Sequence, residues 1–324
     1  MNENPLISVI IPVFNPGKHF EKCVNSVLKQ TYYNLEVILV DDGSSDGSEL
    51  LCDKFAMMDT RVRCVHQHNK GVSSARNTGI KISSGDYYHF LDSDDYLELY
   101  AYEHIIDIIR KNGCDAVTFE YYITFPNHEM VNHLDESKYG IFFGEDIQMN
   151  LMTGMQFCST KVLSKKIIEG LTFREDIYRG EDTLFAAYAL ANAVNGVYFD
   201  STPLYHYVQS KESACRGKFR ECQLSIVKLY DAYKALYWER FTKAKPYFLV
   251  FMHEVIISLY YDLWIDNSAT FRKKGLKLLF STICKYQKEV CNAVFISKKQ
   301  KVKFKLFRVF PDMFCLVHKK IHRL

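Results

Sequence analysis

The sequence predicts an α/β protein built on a doubly wound, mostly parallel sheet, with a helical appendage at its carboxyl end. Three observations carry this prediction. Short β-branched runs alternate with helical patterns through the first hundred residues, the order in which a parallel sheet is laid down. The first, second and fourth runs end abruptly at Asn15, Asp41 and Asp92, as strands do where they leave the sheet. Beyond residue 220 the pattern turns helical and aromatic throughout.

Taken in order, Leu6-Ile7-Ser8-Val9-Ile10-Ile11-Pro12-Val13-Phe14 reads as a central strand closed by Asn15-Pro16-Gly17. Phe20, Cys23, Val24, Val27 and Leu28 then recur at three and four, which makes a helix face. A second strand over 35–40 is followed by the loop 41–47, a helix over 48–58, a third strand over 62–65 and a helix over 71–82. A fourth strand, 87–91, runs into acids. Residues 100–111 read as a helix and 115–125 as a strand, whereas 126–150 are polar and irregular and suit a mobile loop. A short helix is expected over 161–170 and an apolar one over 184–193. Helices over 224–241, 247–263 and 272–291 need partners and so form the appendage. The expected division is a sheet domain over 1–218, helices over 219–297 and a basic amphipathic tail over 298–324.

Charge is unevenly spread. The chain of 324 residues has a formal charge of +3, yet the tail holds nine lysines and arginines against one acid, Asp312. The body is therefore net acidic, which with the lack of a recognition motif argues against a nucleic-acid partner. The ten cysteines form no CxxC pair and no Cys/His spacing of the kind that suits zinc. No signal peptide precedes the first strand and no run approaches 18 uninterrupted apolar residues, so a cytoplasmic protein with reduced thiols is expected.

The chemistry gathers where the strands end. In Phe90-Leu91-Asp92-Ser93-Asp94-Asp95 an apolar run feeds into three carboxylates within four residues. Acids that close repel one another unless a cation sits among them, and hard oxygen donors suit Mg²⁺ or Mn²⁺. An acidic turn or helix cap explains the same residues without a metal. Ligands of doubly wound sheets bind beyond the carboxyl ends of the strands, where the loops 12–17, 41–47 and 92–95 fall. Neither GxGxxG nor GxxxxGK[ST] is present, which argues against dinucleotide and P-loop sites. Glu181 and Asp182 open the helix after Gly180, where its dipole favours negative charge.

Five stretches together carry a resemblance: 9–15 (Val-Ile-Ile-Pro-Val-Phe-Asn), 40–47 (Val-Asp-Asp-Gly-Ser-Ser-Asp-Gly), 69–79 from Asn69-Lys70-Gly71 through Arg76 to Gly79, 85–95 ending in Asp92-Ser93-Asp94-Asp95, and Gly180-Glu181-Asp182-Thr183. In this order and spacing they resemble inverting glycosyltransferase family 2, of the GT-A fold, over roughly residues 6–215. The resemblance implies transfer of a sugar, usually from a UDP-sugar, to an acceptor hydroxyl with inversion. It implies that Pro12, Val13 and Asn15 touch the nucleoside and that Asp42 accepts a hydrogen bond from the base. Asn69, Gly71 and Arg76 lie in the loop and helix near the nucleotide. Asp92, with Ser93 beside it, matches the acid that faces the ribose. Asp94 and Asp92 match the DxD motif that holds Mn²⁺ or Mg²⁺, and Asp182, with Glu181 beside it, matches the general base. His206 stands where some members place a residue near the metal, and Ser213 follows in the next loop. The implied setting is bacterial surface polysaccharide synthesis with a saccharide or lipid-linked saccharide acceptor.

Two other function classes fit less well. A sugar-nucleotide-binding protein without turnover would keep the nucleotide loops and lose the acids, which are present here. A nucleotidyltransferase would open on a Gly-rich basic loop, which Asn15-Pro16-Gly17-Lys18 does not resemble. For the tail, bases interleaved with aromatics suit an anionic lipid surface on the inner face of the membrane, and equally a helix docked on the body.

Overall fold

Strands β1 (Ile7–Val13), β2 (Leu35–Asp41), β3 (Val62–His66) and β4 (Tyr87–Phe90) lie parallel in the order β3-β2-β1-β4, with the most apolar, β1, between two neighbours. The structure is a computed structural model that describes residues 4–131, 134–154, 157–209, 219–266 and 270–321. The crossovers are α1 (Phe20–Leu28), α2 (Ser48–Met58) and α3 (Val72–Ile82). Alternation along β1 divides its side chains between two layers. Ile7, Val9, Ile11 and Val13 share a buried core with α1, α2 and α4 (Ala101–Asn112). Ile10 faces α3, where a Cβ on Gly79 would come within 2.4 Å of its Cγ2, so glycine lets the helix lie close to the sheet.

The second half of the sheet is mixed. Strand β5 (Tyr96–Leu97) pairs antiparallel with β10 (Val197–Val208), which runs parallel to β6 (Ala116–Thr124). Strands β7 (Glu129–Val131) and β8 (Gly140–Phe142) are antiparallel to β6 and β10. Strand β9 (Lys161–Ser164) lies antiparallel between β4 and β6 and joins the two halves into one ten-stranded sheet. The mostly parallel sheet matches the expected class.

Three local expectations differ from the structure. Residues 161–164 are a strand, and only Lys165–Ile168 (α6) is helical. All four strand residues are buried, the polar Lys161 and Ser164 included, so polarity does not follow burial along them. The stretch 126–150 holds β7, β8 and the start of α5 (Gly144–Thr153), so it is more ordered than its polarity suggests. The helix expected over 224–241 is a 3-10 helix (Glu221–Lys228), one α-turn, α8 (Leu229–Ala232), and a π-turn (Ala235–Arg240). Apolar spacing at three and four suits all three windings, which is why the sequence does not distinguish them.

Compactness divides the chain into two units, Met1–Glu175 with Glu181–Ser213, and Asp176–Gly180 with Ala214–Leu324. The expected border at 218/219 adjoins the undescribed residues 210–218, which also contain Ser213. Helix α7 (Glu181–Ala191) belongs to the first unit. In the second, α9 (Lys245–Ile265) is apolar on all sides and long enough to cross a membrane. Phe248, Met252, Ile256, Leu259 and Leu263 are nevertheless buried within the unit, as in a core helix. It packs on α10 (Arg272–Asn292). The tail forms α11 (Lys298–Val309) and α12 (Pro311–Ile321), seated through Phe304 on His253 and Phe307 on Tyr260.

Candidate active site

The acid loop after β4 gives its carboxylates different surroundings. Asp95 is buried, accepts a hydrogen bond from the Tyr205 hydroxyl and another from the Val208 amide at 2.7 Å, and so ties the loop to β10. Burial, then Asp94 and Asp92, push its carboxyl well above the usual range. Asp94 is pushed up to about 6 by burial and by Asp92. Asp92 is more open and accepts a hydrogen bond from Arg76 Nη2 at 2.9 Å. Two repelling carboxylates on one loop, with oxygen donors alone, are a donor set that suits a hard divalent cation.

Arg76 joins this loop to the start of α7. Its Nη1 lies 3.1 Å from Glu181 Oε1 and its guanidinium sits over the Phe173 ring at 5.2 Å. The side chain is buried, and among the described residues its Nε has no partner. Burial and the neighbouring Asp182 push the Glu181 carboxyl up, and Arg76 pulls it part of the way back. Asp182 follows on the first turn, with Oδ1 capping its own Thr183 amide at 2.7 Å. The acids of two distant segments thus meet around one arginine.

The nucleotide-loop candidates also converge. Asn15 adopts a left-handed φ of 49°, accepts from the Ser45 amide at 2.8 Å and takes Ser44 Oγ on its own amide at 3.2 Å. Pro12 and Val13 end β1, and Val13 O accepts from the Asp42 amide at 2.8 Å. Asp42 is buried and accepts from Gln67 Nε2 (2.8 Å), Lys70 N (2.9 Å) and Gly71 N (2.8 Å). The carboxylate expected to read the base therefore also shapes the loop that holds Asn69 and Gly71. Gly71 has a φ of 90°, a conformation open to glycine, and starts the helix that carries Arg76. Ser93 is half-buried between Asp92 and Asp94.

His206 sits among acids other than Asp92 and Asp94. Its Nδ1 lies 3.1 Å from Glu129 and its Nε2 3.0 Å from Glu98, and it is stacked between Tyr96 and Tyr122. Both ring nitrogens thus face carboxylates, Glu98 and Glu129, that the sequence reading did not place beside it.

Sequence reasoning passed over three residues here. Asn77 exchanges two hydrogen bonds with the Phe173 backbone, at 3.0 and 2.7 Å, and so brings that ring under Arg76. Phe173 stacks on Phe185 at 3.9 Å. Lys161 is buried with its ammonium 2.8 Å from Phe157 O; burial pushes it down to about 7, while Cys158 and Asp182 pull it back up. A lysine directly before the apolar pair Val162-Leu163 was the available signal.

Residues 8–171 match the model of the family described as glycosyl transferase family 2. Glycosyltransferase GlyG of Streptococcus pneumoniae is 38% identical over 164 residues, 50% of this chain and 49% of that protein. Chondroitin synthase of Escherichia coli is 43% identical over 108 residues, 33% of this chain and 16% of that one. The matches thus span half or less of these relatives. The crystal structure of S. aureus TarS 1–349 in complex with UDP-GlcNAc shares the fold, with a TM-score of 0.73 at 18% identity, over 98% of this chain and 91% of that one. With its family model spanning half of the residues and the GT-A sheet in place, the chain belongs to glycosyltransferase family 2.

Proposed function

We propose that the protein is a metal-dependent inverting glycosyltransferase that moves a sugar from a nucleotide-diphosphate donor, a UDP-sugar, to an acceptor hydroxyl in bacterial surface polysaccharide synthesis. The observation that carries this reading is the bridge of Arg76 to Asp92 and Glu181, which sets the two acid segments around one site. The UDP-GlcNAc complex of TarS and the name of chondroitin synthase support the donor and polymer classes.

Asp94 and Asp92 would hold Mn²⁺ or Mg²⁺, which when bound offsets the charge that develops on the leaving diphosphate. Asp182 takes the acceptor's proton as the hydroxyl oxygen bonds to the anomeric carbon from the face opposite the diphosphate, whose bond to that carbon breaks. Inversion follows from that single displacement. Glu181 keeps Arg76 in place through its ion pair. A lipid-linked saccharide acceptor would bring the protein to the inner face of the membrane, where the basic tail meets anionic headgroups.

A panel of nucleotide sugars offered with Mn²⁺ and simple saccharide acceptors tests the proposal. The expected result is transfer from a UDP-sugar with the anomeric configuration inverted by NMR. Retention of configuration, or stable binding of a donor with neither transfer nor hydrolysis, would overturn it.

A further inference from the structure

The edge strand β3 and helix α2 assemble a second group of metal-binding side chains, separate from the Asp92–Asp94 acids. Cys64 and His66 are two residues apart on β3 and so project from the same face. Helix α2 packs on that strand and supplies Asp53. Cys64 Sγ lies 3.4 Å from His66 Nε2, which lies 3.0 Å from Asp53 Oδ1, and the three ligand atoms all fall within 4.8 Å of one another. The other ring nitrogen, Nδ1, is 2.9 Å from Asp41 Oδ2. Cys52, buried on α2, and Cys64 are both free thiols.

We propose that Asp53, Cys64 and His66 form a binding site for a borderline transition-metal ion of the Zn²⁺ class, with Asp41 as the residue that orients the imidazole. The donor set decides the class. One sulfur, one imidazole nitrogen and one carboxylate oxygen disfavour Mg²⁺ and Ca²⁺ and suit Zn²⁺ or Co²⁺. Three protein ligands leave a fourth tetrahedral position for water. A carboxylate on the far nitrogen of a ligating histidine is the usual outer support of such sites, and Asp41 occupies that place. The 3.4 and 3.0 Å separations are within a few tenths of an ångström of those between ligands of one tetrahedral ion. Asp41 Oδ1 also accepts from the Ser44 amide at 2.9 Å, so the site is built onto the loop that carries Asp42. The spacing escaped the sequence reading because zinc pairs set two to four residues apart suit turns and helices, whereas Cys-x-His works only on a strand. The competing occupant is a proton, since hydrogen bonds to Asp41 and Asp53 raise the imidazole to about 9.

The test is titration of the chelator-stripped, reduced full chain with Co²⁺ alone, followed by displacement with Zn²⁺. The expected result is one tetrahedral Co²⁺ per chain with a sulfur-to-cobalt charge-transfer band that Cys64→Ser abolishes. His66→Gln and Asp53→Asn should weaken Zn²⁺ at least about 10-fold, and Asp41→Asn about 10- to 100-fold. Asp94→Asn should leave the band in place. Circular dichroism of each variant separates lost folding from lost ligation, and because Asp53, Cys64 and His66 reach the surface, at least one of their variants should fold. Absence of the band in the folded wild-type chain, or its survival in Cys64→Ser, would overturn the proposal.

Discussion

Arg76 and Glu181 stand 105 residues apart in the chain and 3.1 Å apart in the fold. The same guanidinium reaches Asp92 at 2.9 Å, so one buried cation holds two carboxylates from separate segments. Removing it leaves Glu181 buried without its counterion. Arg76→Ala should therefore cost about 3 kcal/mol or more in urea denaturation and abolish UDP binding in calorimetry. Arg76→Lys should recover only part of both, because an ammonium does not span two acids as a guanidinium does. An unchanged urea midpoint for Arg76→Ala would show that the bridge contributes nothing to folding.

Asp182 tests the chemistry apart from the binding. Asp182→Asn keeps the size and the cap on Thr183 and removes the base. Transfer should fall about 10²- to 10⁴-fold while UDP affinity stays within a few-fold of wild type. Turnover at the wild-type rate would move the base elsewhere, with Glu181 the first place to look.

Asp42 is engaged by three donors of the 67–71 loop, and that predicts a measurable loosening. Asp42→Asn replaces one acceptor oxygen by an NH₂ group that faces N–H donors. The Lys70 and Gly71 amides should lose hydrogen-exchange protection, and stability should drop by about 1–3 kcal/mol. Unaltered exchange at both amides would mean that the loop is held by other contacts.

What could be read from the sequence depended on length and locality. The parallel half of the sheet was legible because β1, β2 and β4 are apolar runs closed by turn residues in chain order. Strand β9 was not, since four buried residues carry no period. The acid loops were legible as motifs, but their partners were not. Nothing local to Arg76 announces Glu181, and nothing local to Asp42 announces two backbone amides almost thirty residues on. His206 shows the same limit from the other side. Nothing local to it announces Glu98 and Glu129, which are brought in from other segments to both of its nitrogens.

The tail makes a prediction about surfaces. Val302, Leu306 and Val309 recur at four and three on α11 and are exposed, while Phe304 and Phe307 on the opposite face are buried. Lys298, Lys299, Lys305 and Arg308 are exposed beside that stripe. A docked helix that keeps an outer apolar stripe flanked by bases suits a lipid interface. The full chain should float with anionic vesicles, less so at high salt, and Leu306→Glu with Val309→Glu should abolish flotation. Flotation of the double variant at the wild-type level would remove α11 from the interface.

His89 gives the pH dependence with its sign. The ring is buried in β4, with Nε2 2.8 Å from Ser159 O and Nδ1 2.7 Å from the Tyr102 hydroxyl. A carbonyl only accepts, so Nε2 carries the hydrogen and Nδ1 accepts from Tyr102, which assigns the neutral tautomer. Protonation would put charge on Nδ1 in a buried site, and burial lowers the imidazole to about 4. The unfolded chain takes up that proton near the ordinary value of about 6.5. Between these two values the unfolded state binds more protons, so stability rises with pH there. The stabilisation is present in full above about 6.5 and is lost as pH falls through about 4, a change of about 3 kcal/mol. His89→Gln, which keeps a donor and an acceptor, should flatten the stability profile by one proton in that window. Asp94, Asp95 and Glu181, whose carboxyls are raised, act in the opposite direction, so the difference between variant and wild type is the quantity to measure. Parallel profiles for the two proteins between these values would show that His89 is not buried in its neutral form.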